Sequence, residues 1–413
     1  MAETKQSREL QKRRLRDNEI PYEEDEGKGG NTRLSPVVFV VLFLVLALLV
    51  FAAYYLWRHT VRNVYSVKWE RQAEGQGDSV ETFKGYESFA DGIVKYTKDG
   101  AEYVDADGNV VWERSYQLNA PIISVSASYV TIADQGGTGI YIFDKHILCG
   151  TSETILPISL VRVSDSGIVY AVLNDNEAEY ITAFRPDGTA IDLSVKSILT
   201  GDGYPFDIAV SPDGSELLTS YAGIENGRIR NQVVFRNFGA VGQNEDARRV
   251  VGGFSDEFEG HLAGRVHFST NEASQAFYDG GAVFFSTKVL NSPEVLSHVR
   301  FEDRIESIDY TKDLVAVMLD ASSRESGANV LRIFSARGED LCELELDYHY
   351  TDMCITGKYV AVSDSANIRV YDRHGRLKAE FAYEEGELSH LIGTARSREL
   401  FTITGNTLFR IRY

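Results

Sequence analysis

The stretch DMCITGKYVAVSDSANIRVY, which runs from Asp352 to Tyr371, contains three short apolar runs separated by polar turns. Its central run, Tyr359 to Ser363, alternates valine with other residues, and a fourth run, Leu377 to Phe381, follows the turn Asp372 to Gly375. Alternation with a period of two, bounded by Gly, Asn and Asp, is typical of β-strands joined by tight turns. The segment therefore predicts a sheet of four short antiparallel strands.

The same four-strand unit recurs along the chain, and an aromatic residue ending its third strand marks each copy. Successive marker residues lie 37 to 51 residues apart. They are Tyr103, Phe143, Phe184, Phe235, Phe284, Phe334, Tyr371 and Phe409. A period of about 40–50 residues made of four strands is the signature of a β-propeller blade. We therefore predict an all-β fold, a β-propeller of eight blades. Seven blades is the alternative, because the repeats over 206–300 are long and poorly matched, and an array of β-sandwiches is the competing architecture.

The last repeat ends at Tyr413 with its third strand, so its outer strand is missing. An alternating segment, residues 64–70, precedes the first repeat. Free strand edges invite unwanted pairing, and closing the ring of sheets protects them. We therefore expect residues 64–70 to supply the outer strand of the last blade, so that N- and C-terminal strands together close the ring.

Residues 36–57 form an uncharged apolar stretch, PVVFVVLFLVLALLVFAAYYLW. As a helix it would span roughly 33 Å, enough for the hydrocarbon core of a bilayer. Eight basic residues precede it and four follow closely, which favours a cytoplasmic N-terminus. Those residues are Lys5, Arg8, Lys12, Arg13, Arg14, Arg16, Lys28 and Arg33 before it, and Arg58, Arg62, Lys68 and Arg71 after it. The predicted domains are a disordered charged cytoplasmic tail (1–35), a single transmembrane helix in the cell membrane (36–57) and an extracytoplasmic propeller (58–413). A short basic helix over 6–19, lying on the membrane surface, is an alternative for part of the tail.

The composition narrows the classes of partner. The chain has 42 Lys and Arg against 61 Asp and Glu, a net charge of −19. A nucleic-acid partner calls for a basic face, so we predict none. The negative charge instead predicts a partner that is basic or carries cations. The three cysteines allow one disulfide at most, with Cys342 and Cys354 the nearest candidates, but buried free thiols fit an odd number better.

Linear motifs of catalysis or cofactor binding are absent from the sequence. It has no Gly-x-Ser-x-Gly, His-Glu-x-x-His, Walker loop or Cys-x-x-Cys, and of its eight histidines only His261 and His267 are even loosely spaced as metal ligands. We therefore predict no catalytic, cofactor-binding or metal-binding residues and no enzymatic activity. The stretch Gly239 to Gly264 is the longest without a clear pattern, and it is interpreted either as a binding loop or as an insertion between blades.

One loop combines possible calcium ligands. Asp105, Asp107, Asn109 and Glu113 place oxygen atoms at positions 1, 3, 5 and 9, as in some calcium loops. Glycine, however, falls at the fourth position, and Asp-Gly is the commonest chemistry of a tight hairpin. A hairpin is the favoured interpretation, and a bound cation stays open.

Two segments resemble known propeller repeats. Val210 to Gly214, VSPDG, resembles the first hairpin of WD-repeat blades. Tyr103 to Glu113 resembles one repeat of quinoprotein-like propellers, in which an Asp-Gly turn leads to an outer-strand tryptophan that docks between blades. Trp112 fits that position, and Trp69 is a second candidate. The whole layout is similar to a bacterial family of unknown function with one membrane helix and an extracytoplasmic quinoprotein-like or WD-like propeller, and the resemblance implies a fold and a location but no activity.

These observations predict a membrane-anchored, non-enzymatic propeller that acts as a protein-interaction scaffold or adaptor in the bacterial cell envelope. An alternative is a sensor that binds a sugar or wall fragment and signals through the helix. A third possibility is an enzyme whose site is built from several blades, since one fold carries many functions.

Overall fold

The structure is a computed structural model that describes residues 36–72, 84–244, 248–324, 329–364 and 366–413. The predicted tail, 1–35, lies outside the described residues. Helix α1 spans Pro36–His59, which matches the predicted helix to within two residues. Its segment Val37–Tyr55 is long and apolar enough to cross a membrane. The chain divides into a unit that contains α1 and a second unit, Val61–Tyr413, that contains the strands.

The described part of the second unit forms eight antiparallel sheets of four strands each, which are the blades of a β-propeller. From the inner to the outer strand, blade 1 comprises β2 (Lys84–Phe89), β3 (Gly92–Thr97), β4 (Gly100–Val104) and β5 (Val110–Ser115), and blade 2 comprises β6 (Pro121–Val125), β7 (Tyr129–Asp134), β8 (Gly139–Asp144) and β9 (Leu148–Glu153). Blade 3 comprises β10 (Ile158–Val163), β11 (Val169–Asn174), β12 (Ala178–Phe184) and β13 (Ala190–Ile198), and blade 4 comprises β14 (Tyr204–Val210), β15 (Glu216–Glu225), β16 (Arg228–Asn237) and β17 (Val250–Phe254). Blade 5 comprises β18 (Ala263–Thr270), β19 (Ala273–Tyr278), β20 (Gly281–Ser286) and β21 (Glu294–Arg300), and blade 6 comprises β22 (Arg304–Tyr310), β23 (Leu314–Asp320), β24 (Asn329–Ser335) and β25 (Asp340–Glu345). Blade 7 comprises β26 (Asp352–Thr356), β27 (Tyr359–Ser363), β28 (Asn367–Asp372) and β29 (Leu377–Ala382), and blade 8 comprises β30 (Leu388–Gly393), β31 (Glu399–Thr404), β32 (Thr407–Arg412) and β1 (Ser66–Gln72).

The eighth blade is completed by both ends of the domain. Strand β1 pairs antiparallel with β32, from Ser66 opposite Arg412 to Gln72 opposite Thr407. The predicted closing strand, 64–70, is therefore confirmed with a shift of two residues. The prediction of eight blades is also confirmed, and the seven-blade and sandwich alternatives are wrong.

The marker aromatics that revealed the repeat all lie on the third strand of a blade and are buried. Besides contacts within their own sheet, several of them pack against aromatic rings of a neighbouring blade. In the layer between blades 1 and 2, for example, the rings of Trp112 and Phe143 stack with centroids 4.5 Å apart. Such pairs contribute about 0.5–1.5 kcal/mol beyond the area that they bury. Each sheet therefore buries its two faces against its neighbours, and this explains why the aromatic position repeats with the blade.

Outer-strand tryptophans fasten adjacent blades, as the quinoprotein-like resemblance implied. Trp112 on β5 donates its indole N–H to the backbone oxygen of Asp144 in blade 2, at 3.0 Å. Trp69 on β1 makes the same contact with Ala106 in blade 1, also at 3.0 Å. Gly108, at φ +88°, lies against the Trp69 ring, where an added Cβ would come within 3.2 Å of it. The ring closure thus uses the same contact as a junction between consecutive blades.

Blade 4 departs most from the repeat. Its strands β15 and β16 are ten residues long and form a hairpin that extends past the rest of the sheet. The stretch Gly239 to Gly264 is not one loop, because it contains the outer strand β17 between short 3-10 turns at Gly242–Asn244 and Asp256–Phe258. Strand β17 contains two glycines, Gly252 and Gly253, which break the alternation of apolar and polar residues. The long hairpin and the turns together explain the poor match over 206–300.

Candidate functional site

The Asp105 loop is a hairpin in which the Asp105 carboxylate already accepts hydrogen bonds from the backbone of the loop. Asp105 accepts hydrogen bonds at Oδ1 from the backbone N–H groups of Asp107 and Asn109, both at 2.9 Å. Burial alone would raise the pKa of Asp105, but these donors hold it below its ordinary value. Glu113 is exposed on β5 and pairs with Glu102 in the strand register. In the described part of the chain, no three His, Cys, Asp or Glu side chains are arranged to hold a metal ion. The geometry supports the hairpin interpretation.

The cysteines are free thiols. Cys354 on β26 is buried, and Cys149 and Cys342 are half-buried. Burial is the largest cause that raises the pKa of each thiol, which disfavours the reactive thiolate. The expectation of free thiols is therefore met, and these side chains give no sign of a nucleophilic site.

The inner strands surround a channel along the propeller axis, with two adjoining lobes. One lobe, of about 820 Å³, is lined by blades 1 to 6, and the other, of about 1010 Å³, by blades 1, 6, 7 and 8. Both lobes are lined by Glu87 and Ser88 of blade 1 and by residues 308–312 of blade 6. Blades 1 and 6 therefore form the boundary at which the lobes meet. Each volume is in the range of small-molecule sites.

Polar side chains form hydrogen bonds that join the inner strand of one blade to the inner strand of the next. An inner strand has a free edge toward the axis, and its unpaired backbone N–H groups need acceptors. In four of the junctions a Ser or Asp on one inner strand accepts an N–H from the next. The pairs are Ser124 with Val163 at 3.1 Å, Asp207 with Val266 at 2.9 Å, Asp309 with Ile355 at 2.5 Å and Asp352 with Leu391 at 2.8 Å. The Ser124 hydroxyl and the three carboxylates therefore have a structural role at the junctions of the inner strands.

Other charged groups in the wall have different degrees of pairing. Arg162 on β10 donates to Asp207 at 2.5 Å, so this cation is neutralised. By contrast, the Arg265 guanidinium on β18 and the Glu87 carboxylate on β2 form no hydrogen bond or ion pair with any described residue, although both are exposed to the channel. Desolvation within the channel and the negative charge of Asp309 raise the pKa of Glu87, while Arg265 opposes that shift. Burial also raises the pKa of Asp309, to about 6.

His267 lies in the same lobe and is held neutral. Its ring stacks on Tyr310 with centroids 3.7 Å apart. Burial and the positive charges of Arg162 and Arg265 lower its pKa to about 3. His261, the other histidine of the loose pair, instead contacts Asp279 at 3.0 Å outside the channel lining. The sequence spacing therefore does not make these two residues a metal pair.

A second feature is a group of exposed apolar side chains on the long hairpin of blade 4 and on the adjoining strand β14. Ile224 and Ile229 face each other across the hairpin and are 82 % and 52 % exposed. Tyr204 pairs with Ala222, two residues before Ile224, and therefore lies on the same side of the sheet. Phe206 is 43 % exposed beside Gly264 of blade 5. We call Tyr204, Phe206, Ile224 and Ile229 the hairpin patch.

The sequence analysis identified neither the channel residues nor the hairpin patch. A local signal exists in part: a charge interrupts the largely apolar inner strand ISLVRV (158–163), and an isoleucine flanks each side of the hairpin turn at 225–228. Neither signal shows which residues meet, since that depends on the closed ring.

Comparisons with solved structures identify the same fold. The structure resembles BamB from Moraxella catarrhalis, with a TM-score of 0.53 and 12% identity over 85% of this chain and 100% of that one. It also resembles the C-terminal WD40 domain of Sif2, with a TM-score of 0.55 and 12% identity over 86% and 99% of the two chains. A third similar structure is Chaetomium thermophilum Sqt1 bound to the N-terminus of the ribosomal protein L10, with a TM-score of 0.53 and 14% identity over 82% and 100%. At these identities the likeness concerns the fold alone.

Comparisons by sequence add a family but no activity. A model described as a family of unknown function, DUF5711, matches residues 58–412. No curated protein matches the sequence.

Proposed function

The chain belongs to DUF5711, a family of unknown function, and from its propeller geometry we propose that it is a membrane-anchored, non-enzymatic scaffold that binds a protein partner in the bacterial cell envelope. In this proposal α1 anchors the chain in the cell membrane, the N-terminus is cytoplasmic and the propeller is extracytoplasmic. A tether raises the effective concentration of the propeller for any partner held at the same membrane.

The hairpin patch is the observation that carries the proposal. Contiguous exposed apolar residues on a soluble domain mark an interaction site, whereas single exposed ones are ordinary. Two of its four members are aromatic, the residue type that dominates the anchors of protein interfaces. The patch thus has the composition of a binding anchor.

The hairpin is held in place, which lowers the entropic cost of binding. Arg230 donates to the backbone oxygen of Gly201, in the link between blades 3 and 4, at 2.6 Å. Its guanidinium also lies 3.7 Å from the Glu225 carboxylate near the hairpin turn. Because the binding residues are ordered before the partner arrives, less free energy is lost in ordering them.

Charge and the similar structures support the same proposal. A net charge of −19 favours a partner whose polar rim is basic. Sqt1, which shares the fold, was solved with a segment of another protein bound. An apolar contact to the hairpin patch with a basic surround is therefore the partner chemistry that we expect.

The test is cross-linking in native membranes, followed by affinity purification and mass spectrometry. A chain ending near Arg71 provides the background, because it lacks the propeller. Phe206→Ser combined with Ile224→Ser should lose the captured partner, because the apolar anchors are removed. Ile155→Ser is the matched control, since Ile155 is 98 % exposed on the link between blades 2 and 3. Equal capture by the patch variant and the control, or no specific capture by the wild-type propeller, would contradict the proposal.

The proposed orientation has its own test. Ile155→Cys places a thiol at a fully exposed position of the propeller. In intact cells, a membrane-impermeant maleimide should label this variant above the wild-type background from the native cysteines. Labelling that increases only after the cells are lysed would place the propeller in the cytoplasm and overturn the orientation.

A further inference from the structure

We propose that the channel lobe lined by blades 1 to 6 binds a small zwitterion, such as a free amino acid or a short peptide with both termini free. The inference is independent of the hairpin patch. It rests on the unpaired Glu87 carboxylate and the unpaired Arg265 guanidinium, which face the same cavity.

The two charged groups lie on opposite sides of the ring. Glu87 belongs to blade 1 and Arg265 to blade 5, and in a ring of eight blades these positions are diametrically opposite. Both side chains line the 820 Å³ lobe. Because neither has a partner among the described residues, their charges are left for water or for a ligand.

The remaining charged groups of the lobe form no ion pair with Glu87 or Arg265; they are Arg162, Asp165, Glu306, Asp309 and Lys312. Arg162 is committed to Asp207 at 2.5 Å. Asp309 is tied to the backbone N–H groups of Tyr310 and Ile355, but it stays beside Glu87 and adds negative charge to that side. The lobe therefore has a carboxylate at blade 1, a guanidinium at blade 5, and charges of both signs at blade 6, where Glu306, Asp309 and Lys312 line it.

This distribution selects the class of ligand. A simple anion that reached Arg265 would remain under the repulsion of Glu87 and Asp309, and a simple cation at Glu87 would be repelled by Arg265. A ligand with a carboxylate and an ammonium group satisfies both sides at once. Charge-assisted hydrogen bonds of this kind are the strongest that a polar site offers.

Uncharged groups between the two ends suit the body of such a ligand. Neutral His267 offers one ring nitrogen as an acceptor and the other as a donor. Ser88 adds a hydroxyl in the same lobe. The volume of the lobe accommodates a molecule of several residues, so a short peptide fits as well as a free amino acid.

The experiment is isothermal titration of the detergent-solubilised full chain with zwitterions of increasing charge separation. The probes are glycine, β-alanine, γ-aminobutyrate, ε-aminohexanoate and alanylalanine, with acetate and methylammonium as singly charged controls. At least one zwitterion should bind, and it should bind at least about tenfold more tightly than either control. No binding by any of the zwitterions, or equal binding of acetate or methylammonium, would overturn the proposal.

Charge-removing variants then test the assigned groups. Glu87→Gln should weaken binding of the best zwitterion about tenfold or more and shift the preference toward acetate, while Arg265→Gln should shift it toward methylammonium. Arg265→Lys keeps the charge and should retain most of the binding, and Glu113→Gln, on an exposed outer strand, should change nothing. Circular dichroism confirms that each variant is folded. If the Gln variants bind the zwitterion as the wild type does, these two residues do not form the site.

Discussion

Glu216 allows a test of how strongly the propeller interior disfavours a buried charge. It lies on β15, is 2 % exposed, and neither of its carboxylate oxygens has a hydrogen-bond partner among the described residues. Burial raises its pKa from 4.5 to about 7, and the negative charge of Asp213 adds to this shift. The neighbouring Asn237 and Thr287 side chains oppose the shift without forming a hydrogen bond to the carboxylate.

The magnitude follows from linkage between protonation and folding. The folded state binds the Glu216 proton more tightly than the unfolded state does, so its favourable contribution is complete below the unfolded pKa and is lost as the pH rises through the folded pKa. A difference of this size corresponds to about 3 kcal/mol. Glu216→Gln keeps the shape but cannot ionise. We therefore expect the free energy of unfolding of the variant, relative to the wild type, to rise by about 3 kcal/mol between pH values of about 4 and 8.

The assay is urea denaturation of the detergent-solubilised chain, followed by tryptophan fluorescence at several pH values. Glu113→Gln removes an exposed glutamate on β5 and serves as the matched control, for which the difference should stay within about 0.5 kcal/mol at every pH. A Glu216→Gln difference that does not change with pH would show that the carboxylate is solvated or paired in the folded protein, and the reasoning from its burial would be refuted.

Three further predictions concern the closure and the chemistry of the ring. Trp69→Phe and Trp112→Phe each remove one indole hydrogen bond between blades. Each substitution should lower the free energy of unfolding, measured in urea, by about 1 kcal/mol. An effect of Trp112→Phe without one of Trp69→Phe would show that the hydrogen bond of the closing strand does not contribute to stability. Gly393→Ala would place a Cβ 1.9 Å from a backbone oxygen of blade 7, so it should destabilise the fold by more than about 3 kcal/mol in thermal denaturation. In the control, Gly201→Ala, the added Cβ would have no neighbour closer than 3.9 Å, and the cost should be less than about 1 kcal/mol. Equal effects of the two substitutions would contradict the packing described for Gly393. The three cysteines should all titrate as thiols in the unfolded, unreduced protein, and a count of one would reveal a disulfide.

The architecture was predictable because each blade repeats the same local sequence pattern. Strand alternation, Asp-Gly turns and a buried aromatic recur in sequence, and the third-strand position of Tyr103 or Phe334 follows from counting strands within one blade. The closing strand was also predictable, because a missing outer strand at the C-terminus leaves one free alternating segment, and that segment lies just before the first blade. What failed was the interpretation of Gly239 to Gly264, where β17 has two central glycines and so lacks the alternation by which strands are recognised.

The candidate site was not predictable in the same way, because its members repeat only by position and not by residue type. The inner strands carry Glu87 in blade 1, Arg162 in blade 3 and Arg265 in blade 5. These three strands share no sequence motif, so a motif search does not group their charged residues. A charge within an otherwise apolar inner strand indicates that the side chain reaches the axis, since a charge between two sheets would be too costly without a partner. That rule selects the candidates, but the number of blades decides which of them face each other. In a ring of seven, blades 1 and 5 would be offset; in the ring of eight they are opposite. The chemistry that we propose for the channel is therefore a consequence of ring closure, and it depends on the strand that residues 66–72 contribute to the last blade.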